Sequence, residues 1–262
     1  MAPLDVHGGI CSLCIRKIYA ITDGYSTVCV STGAGTAEHG VEAVAMGSKR
    51  ELAGQLAVVA GFENPTVELE QYPTPPDLAA HVIHVADLQG DIEGKTVLDL
   101  GTGTGMLALG AALRGPARVI GVELQRDPLV TARENRRRVG TTAPIHWIQA
   151  DATRAPLRLS ESTTVVMNPP FGAQNGRRGA DRGFLRTASE LADVSYSVHN
   201  RGSREFVEAF AADNGGTVTH AFRATFELDR QFAFHDTDRT EIDTEVFRIE
   251  WRRSRDRSTG AD

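Results

Sequence analysis

From residue 46 onward the apolar positions fall into short runs of two alternating kinds. Leu52, Leu56 and Val59 recur at helical spacing behind Ser48-Lys49-Arg50-Glu51. That tetrad is a capping box, in which Ser48 accepts from the backbone N–H of Glu51 and Glu51 reaches back to that of Ser48. Thr74-Pro75-Pro76-Asp77 predicts a second helix start, because proline's fixed φ suits a first turn and Asp77 sits at the positive end of the helix dipole. The stretches 96–100, 118–124, 145–150, 163–168 and 194–198 are short, buried-looking strands. Helical patterns at 106–114, 128–139, 182–192 and 203–213 separate or follow them, and the extended stretches 217–228 and 245–252 form a closing antiparallel pair. Alternating βα units call for a mostly parallel sheet covered on both faces. The expected fold is α/β and doubly wound, Rossmann-like, with seven strands over a domain at 46–253. Residues 1–45 show no sustained period and are expected to be a poorly structured extension, with Met46 as the true start; 254–262 reads as a solvated tail.

Between the first strand and its helix stands VLDLGTGTGM, with Gly101, Gly103 and Gly105 where the chain turns sharply and a ligand can approach the backbone. A tight ligand-free turn would need the same glycines. The spacing lacks the third-glycine position of the dinucleotide fingerprint, so nothing demands a pyrophosphate and a dehydrogenase is disfavoured. Glu123, ending the next strand, is placed to accept from both ribose hydroxyls of a nucleoside, and Asp151, closing the strand after it, to contact an adenine amino group. Asp99, Glu123 and Asp151 on successive strands together suit a cationic nucleoside, S-adenosylmethionine; singly, each could be a solvated loop carboxylate.

The fourth strand runs into Asn168-Pro169-Pro170-Phe171. An amine conjugated to a ring or a carbonyl is a poor nucleophile until its lone pair is localised. Asn168 can accept one N–H of such an amine through its side-chain oxygen, and the carbonyl of Pro169 the other. Both bonds strengthen as the nitrogen gains positive charge, so they lower the barrier to methyl transfer. The prolines fix φ and hold that carbonyl outward, and Phe171 offers a face for a flat target. Downstream, Arg177, Arg178, Arg182 and Arg186 are the candidate contacts to RNA phosphates, although a solvated charge run balanced by Asp181 would look the same.

Composition narrows the picture. A net charge of −6 over 262 residues excludes a protein that grips nucleic acid through its overall field, so phosphate contacts must be local. Lysine occurs only at Lys17, Lys49 and Lys95, a bias that fits GC-rich coding. No apolar run is long enough for a membrane span and no secretory layout opens the chain, so a cytoplasmic location is expected. Cys11 and Cys14 could be half a zinc site or a redox pair, but no second ligand pair follows, and with Cys29 they read as incidental thiols. His81, His84 and His199 lack the spacing of a metal motif, so no metal is expected.

GFENPTVELEQYPTPP, VLDLGTGTG, VVMNPPFGAQNGRRGADRGFL and YSVHNRGSRE, in this order, resemble the adenine-N6 methyltransferases of small-subunit ribosomal RNA, methyltransferase-like protein five and its archaeal relatives. The resemblance runs from about Glu51 to Arg252 and implies a class I S-adenosylmethionine-dependent methyltransferase. It implies that Gln71, Tyr72 and Thr74 line the cofactor's methionine end, that Asn168 borders the cofactor as well as the base, and that Asn168 to Phe171 hold the base. It also names a partner, a small zinc-ribbon activator subunit, which would add to the strand 145–150. That strand is expected at a sheet edge, where IHWIQ would expose apolar side chains and unpaired backbone groups. Rival substrates are the glutamine amide of a release factor, which the same N-P-P-aromatic chemistry serves, and DNA adenine. A scaffold that only binds the cofactor would be expected to lack Asn168 or the prolines.

Overall fold

The computed structural model describes residues 47–63, 65, 71–170, 180–229 and 239–252. The expected extension with its cysteines, the tail, Phe171, Arg177 and Arg178 lie outside the described residues. Every described residue belongs to one compact unit, Ala45–Asp262.

The elements are α1 (Lys49–Leu56), α2 (Pro76–Leu88), β1 (Thr96–Leu100), α3 (Met106–Ala112), β2 (Arg118–Glu123), α4 (Arg126–Val139) and β3 (Ile145–Gln149). They continue with β4 (Thr163–Met167), α5 (Ala180–Leu191), β5 (Val194–Asn200), α6 (Arg204–Asp213), β6 (Gly216–Asp229) and β7 (Arg239–Trp251). One seven-stranded sheet has the order β3-β2-β1-β4-β5-β7-β6. The first five strands are parallel, and β7 and β6 close it antiparallel. From β1 the chain winds outward to β2 and β3, then crosses to β4 and β5. The C-terminal ends of β1 and β4 therefore diverge, leaving the crevice in which open α/β sheets bind ligands.

Strand periodicity distributes the core. Val97, Val119, Val166 and Val246 pack with α1, α2 and α3 on one face; their neighbours Leu98, Ile120, Val165 and Phe247 pack with α5 and α6 on the other. Both β1 and β4 are buried throughout, as central parallel strands must be. Leu52 and Leu56 of α1 are fully buried, each contributing roughly 2 kcal/mol. The Ser48 hydroxyl accepts from Glu51 N at 3.2 Å, the forward half of the predicted capping box.

Element ends differ from the sequence reading for local reasons. α4 begins at Arg126 and not at 128, because Pro128 falls in the first turn, whose N–H groups have no intrahelical acceptor anyway. β7 begins at Arg239, six residues before the expected 245, because its first part pairs with β6 alone. Asn200, the last residue of β5, faces Thr244, so this two-stranded arm continues beyond the catalytic end of the parallel strands. Towards the N-terminal ends of the parallel strands Asp91 accepts from Tyr196 Oη at 2.6 Å and from Arg248 Nε at 2.8 Å, a buried ion pair that no sequence motif announced.

Candidate active site

After β1 the chain turns through Gly101, Thr102, Gly103, Thr104 and Gly105 into α3. The three glycines have φ of +71°, +53° and +93°, the left-handed region that side chains disfavour. Space excludes a side chain as well: a Cβ at Gly101 would lie 2.9 Å from Phe184 Cε1, and one at Gly103 would lie 2.8 Å from Phe62 Cζ. Gly105 caps α3 without a side chain to offer. Asp99 takes over that task, its Oδ2 accepting from Ala108 N at 2.9 Å and from Thr102 Oγ1 at 2.6 Å. Burial pushes its carboxyl up to about 7; the two hydrogen bonds oppose that shift and the nearby Glu123 charge adds to it. Here the expectation is corrected. Asp99 does not line the cleft but lies beneath the loop, 1 % exposed, because its strand position turns the side chain under the glycines.

Glu123 and Asp151 do reach the cleft. Glu123 Oε2 accepts from Gly103 N and Oε1 from Gln125 N, both at 3.0 Å. Each oxygen keeps a second lone pair for a pair of ligand hydroxyls. Asp151 Oδ1 holds the turn Ala152–Arg154 by accepting from Thr153 N at 2.8 Å and Thr153 Oγ1 at 2.7 Å. Gln71, Tyr72 and Thr74 form the opposite wall, with Gln71 Nε2 donating to Gln125 Oε1 at 2.8 Å. No lysine, arginine or histidine is found among the described lining residues. Carboxylates without counter-cations suit a positively charged ligand and repel a pyrophosphate.

Asn168 follows β4 directly and stands across this cleft. Its Nδ2 donates to Thr74 Oγ1 at 3.0 Å, which fixes the carboxamide plane. Its Oδ1 is buried and has no hydrogen-bond partner among the described residues. Leaving such an acceptor unmet costs about 1–3 kcal/mol, which a bound N–H would recover. Pro169 is buried and Pro170 lines the cleft beside it.

The expected arginines divide. Arg182 lies over the rings of Phe206 and Phe210, 5.4 and 5.7 Å from their centroids, so part of its cationic face is already engaged by α6. Arg186, one turn further along α5, is exposed. The histidines have packing roles: His81 stacks on Phe222 at 4.8 Å, and His199 is 2 % exposed with Nε2 at 2.9 Å from Ser197 Oγ and its ring edge-on to Phe247. Among the described residues no cluster could hold a metal ion. Sequence reasoning missed Phe62, Thr102 and Phe184 as cleft residues. Each reaches the loop from a distant element, and only the van der Waals demand of a Cβ-free glycine hints that something must cover it. Trp147 was misjudged: it is half-buried, and its ring lies 2.6 Å from where a Cβ on Gly121 would be and 3.0 Å from one on Gly105. The indole turns inward because those glycines open a space beneath the loop. Ile145 is likewise buried, so His146 and Gln149 are the exposed side chains of β3.

Comparison with known proteins agrees with this geometry. The Methyltransferase domain family matches residues 97–178, from β1 past the Asn168 motif. The rRNA N(6)-adenosine-methyltransferase Mettl5 of Drosophila melanogaster is 36% identical over 77% of this chain and 95% of its own length. A protein of Methanocaldococcus jannaschii is 34% identical over 77% of this chain and 94% of its own. A solved structure, that of a candidate RNA methyltransferase from Pyrococcus horikoshii, superposes with a TM-score of 0.71 at 38% identity, covering 79% of this chain and 98% of that one. With a sulfonium-compatible cleft, an open amide acceptor and relatives that match nearly end to end, the chain belongs to the Mettl5 family of adenosine-N6 methyltransferases.

Proposed function

We propose that this chain transfers the methyl group of S-adenosylmethionine to the N6 amine of an adenosine in small-subunit ribosomal RNA. The observation that carries the reading is the buried Oδ1 of Asn168, which has no partner among the described residues, on a carboxamide held in place by Thr74. The residues fit the cofactor: the glycine loop lines the cleft without side chains of its own, Glu123 keeps acceptors for two hydroxyls, and the lining carries acidic groups without basic ones. The cofactor supplies an electrophilic methyl on a sulfonium. Asn168 takes one N–H of the target amine, the Pro169 carbonyl the other, and both draw the nitrogen lone pair out of conjugation. Phe171 stacks on the base. A base inside a helix cannot reach Asn168, so the target is single-stranded or extruded. Arg186 holds RNA phosphates together with Arg177 and Arg178, and Arg182 contributes what its aromatic contacts leave free.

The protein-glutamine reading is the weaker one. The release factor glutamine methyltransferase of Moorella thermoacetica matches over 30% of this chain and 28% of its own length, a span that fits the shared cofactor-binding half.

For the partner, we propose that a small zinc-ribbon activator adds a strand to β3. β3 is an edge strand that carries the half-buried Ile148, with Arg133, Arg137 and Arg158 around an adjoining groove. The cytoplasm, where ribosomal subunits are at hand, is the proposed location; among the described residues no helix is long and apolar enough to cross a membrane.

The deciding experiment presents the purified chain, with and without co-expressed activator, with labelled cofactor and either small-subunit rRNA or a release-factor peptide. Label in N6-methyladenosine of the RNA, absent from rRNA of a strain lacking the gene, is the expected result. Label in the peptide alone would overturn it.

A further inference from the structure

Asn135 lies in the middle of α4, fully buried, where a carboxamide has no use to the helix itself. Its Oδ1 accepts from Ala60 N at 2.9 Å, and its Nδ2 donates to Ala60 O at 2.9 Å and to Thr104 O at 3.0 Å. Arg138 Nη1 adds a longer bond to the same oxygen at 3.4 Å. Both acceptor positions and both amide hydrogens are thereby used. Pairing with the N–H and the C=O of one residue reproduces what a neighbouring strand would offer, 75 positions away in sequence.

Ala60 belongs to the strap that leaves α1, and two residues later the strap carries Phe62, whose ring closes over Gly103. Thr104 is the next residue of the loop. A single side chain therefore ties the loop to the segment that covers it, and a Cβ built on the intervening Gly61 would lie 3.7 Å from Pro73. Without that amide, Ala60 would have two backbone groups to satisfy with water, and Phe62 would have no fixed approach to Gly103.

We propose that Asn135 is a positioning residue for cofactor binding: by pairing with Ala60 and Thr104 it holds Phe62 against Gly103 and so completes one wall of the cleft. This rests on the reading of the cleft as the S-adenosylmethionine site. Asn135→Ala and Asn135→Asp, in the full chain, are to be compared with Phe62→Ala and with the double variant Asn135→Ala/Phe62→Ala. The Kd for S-adenosylhomocysteine is expected to rise roughly tenfold in each single variant. In the Asn135 variants the KM for RNA and kcat at saturating cofactor should stay within about twofold, a split that general loosening of the fold would not give. The double variant should bind about as weakly as the worse single one, because both changes release the same wall. A folded Asn135→Ala protein with wild-type affinity, or losses that simply add, would overturn the proposal. If the Asn135 variants fail to fold, Phe62→Ala and hydrogen exchange on the wild type decide. The Ala60 amide should exchange more slowly when S-adenosylhomocysteine is bound; an unchanged rate together with wild-type affinity in Phe62→Ala refutes the role. A wild type that binds no S-adenosylhomocysteine would instead defeat the reading of the site.

Discussion

The two halves of the cleft are built on opposite terms. At the ends of β1, β2 and β3, every acidic side chain is already held by the chain: Asp99 by Thr102 and Ala108, Glu123 by Gly103 and Gln125, Asp151 by Thr153. At the end of β4 one atom, Asn168 Oδ1, is buried without a partner among the described residues. The first half is rigid before any ligand arrives, so binding there costs little ordering. On the proposed mechanism the second holds an acceptor whose penalty a target N–H would relieve, most fully as that nitrogen becomes cationic. Prebuilt geometry would then serve affinity, and the open acceptor rate.

Substitutions should separate affinity from rate. Asn168→Ala is expected to have the largest effect, lowering kcat by about 10²–10³-fold while the Kd for cofactor stays near wild type. Calorimetry with single-turnover kinetics reads both, and an active variant would break the contrast. Glu123→Ala should do the reverse. It removes the acceptor for the ligand hydroxyls and for Gly103 N, so the cofactor Kd should rise about 10–100-fold, as expected for one or two lost hydrogen bonds to a charged group. The kcat at saturation should change little. Thr74→Val removes the hydroxyl that fixes the Asn168 plane, and kcat should fall about tenfold, with Thr74→Ser restoring it.

The smallest effect concerns pH and opposes the halves directly. Asp99 has its pKa raised by burial to about 7 from 3.8, so its contribution to stability is present below about pH 4 and is lost as pH rises towards 7. His199, on the strand beside β4, has its pKa lowered by burial to about 4 from 6.5. Its contribution is present above about pH 6.5 and is lost as pH falls towards 4. Between those limits the two trends offset each other in the cofactor-free protein. Asp99→Asn should leave a stability that climbs with pH, and His199→Phe one that declines; urea midpoints from pH 4 to 7 would show either slope missing if the assignment is wrong.

Sequence carried most of the fold, because strand and helix periods are local and the buried strands β1 and β4 are too apolar to misread. The Asn168 motif was legible for the same reason: it is contiguous. What escaped it depended on partners far along the chain. Asp99 looked like a ligand contact because its role as the cap of α3 appears only when Ala108 is folded back over it. Phe62 and Phe184 cover glycines that are distant in sequence, and Arg248 finds Asp91 across 157 positions. Trp147 was read from its place on an edge strand, where an indole ordinarily faces out, without the space that Gly105 and Gly121 leave beneath it.

On the proposed docking of an activator, that indole would couple two binding events. Trp147 sits on the edge strand, and its ring lies against Gly105 of the glycine loop. A partner that restrains β3 thereby restrains the loop, and free-energy linkage requires the influence to be mutual: whatever factor the partner adds to cofactor affinity, the cofactor adds to the partner's. The second tryptophan, Trp251, is buried in the antiparallel part of the sheet, with Nε1 donating to Ser195 Oγ at 2.9 Å. Its emission should stay constant through both events, leaving the Trp147 signal as an internal gauge of how strongly the enzyme's two ligands feel one another.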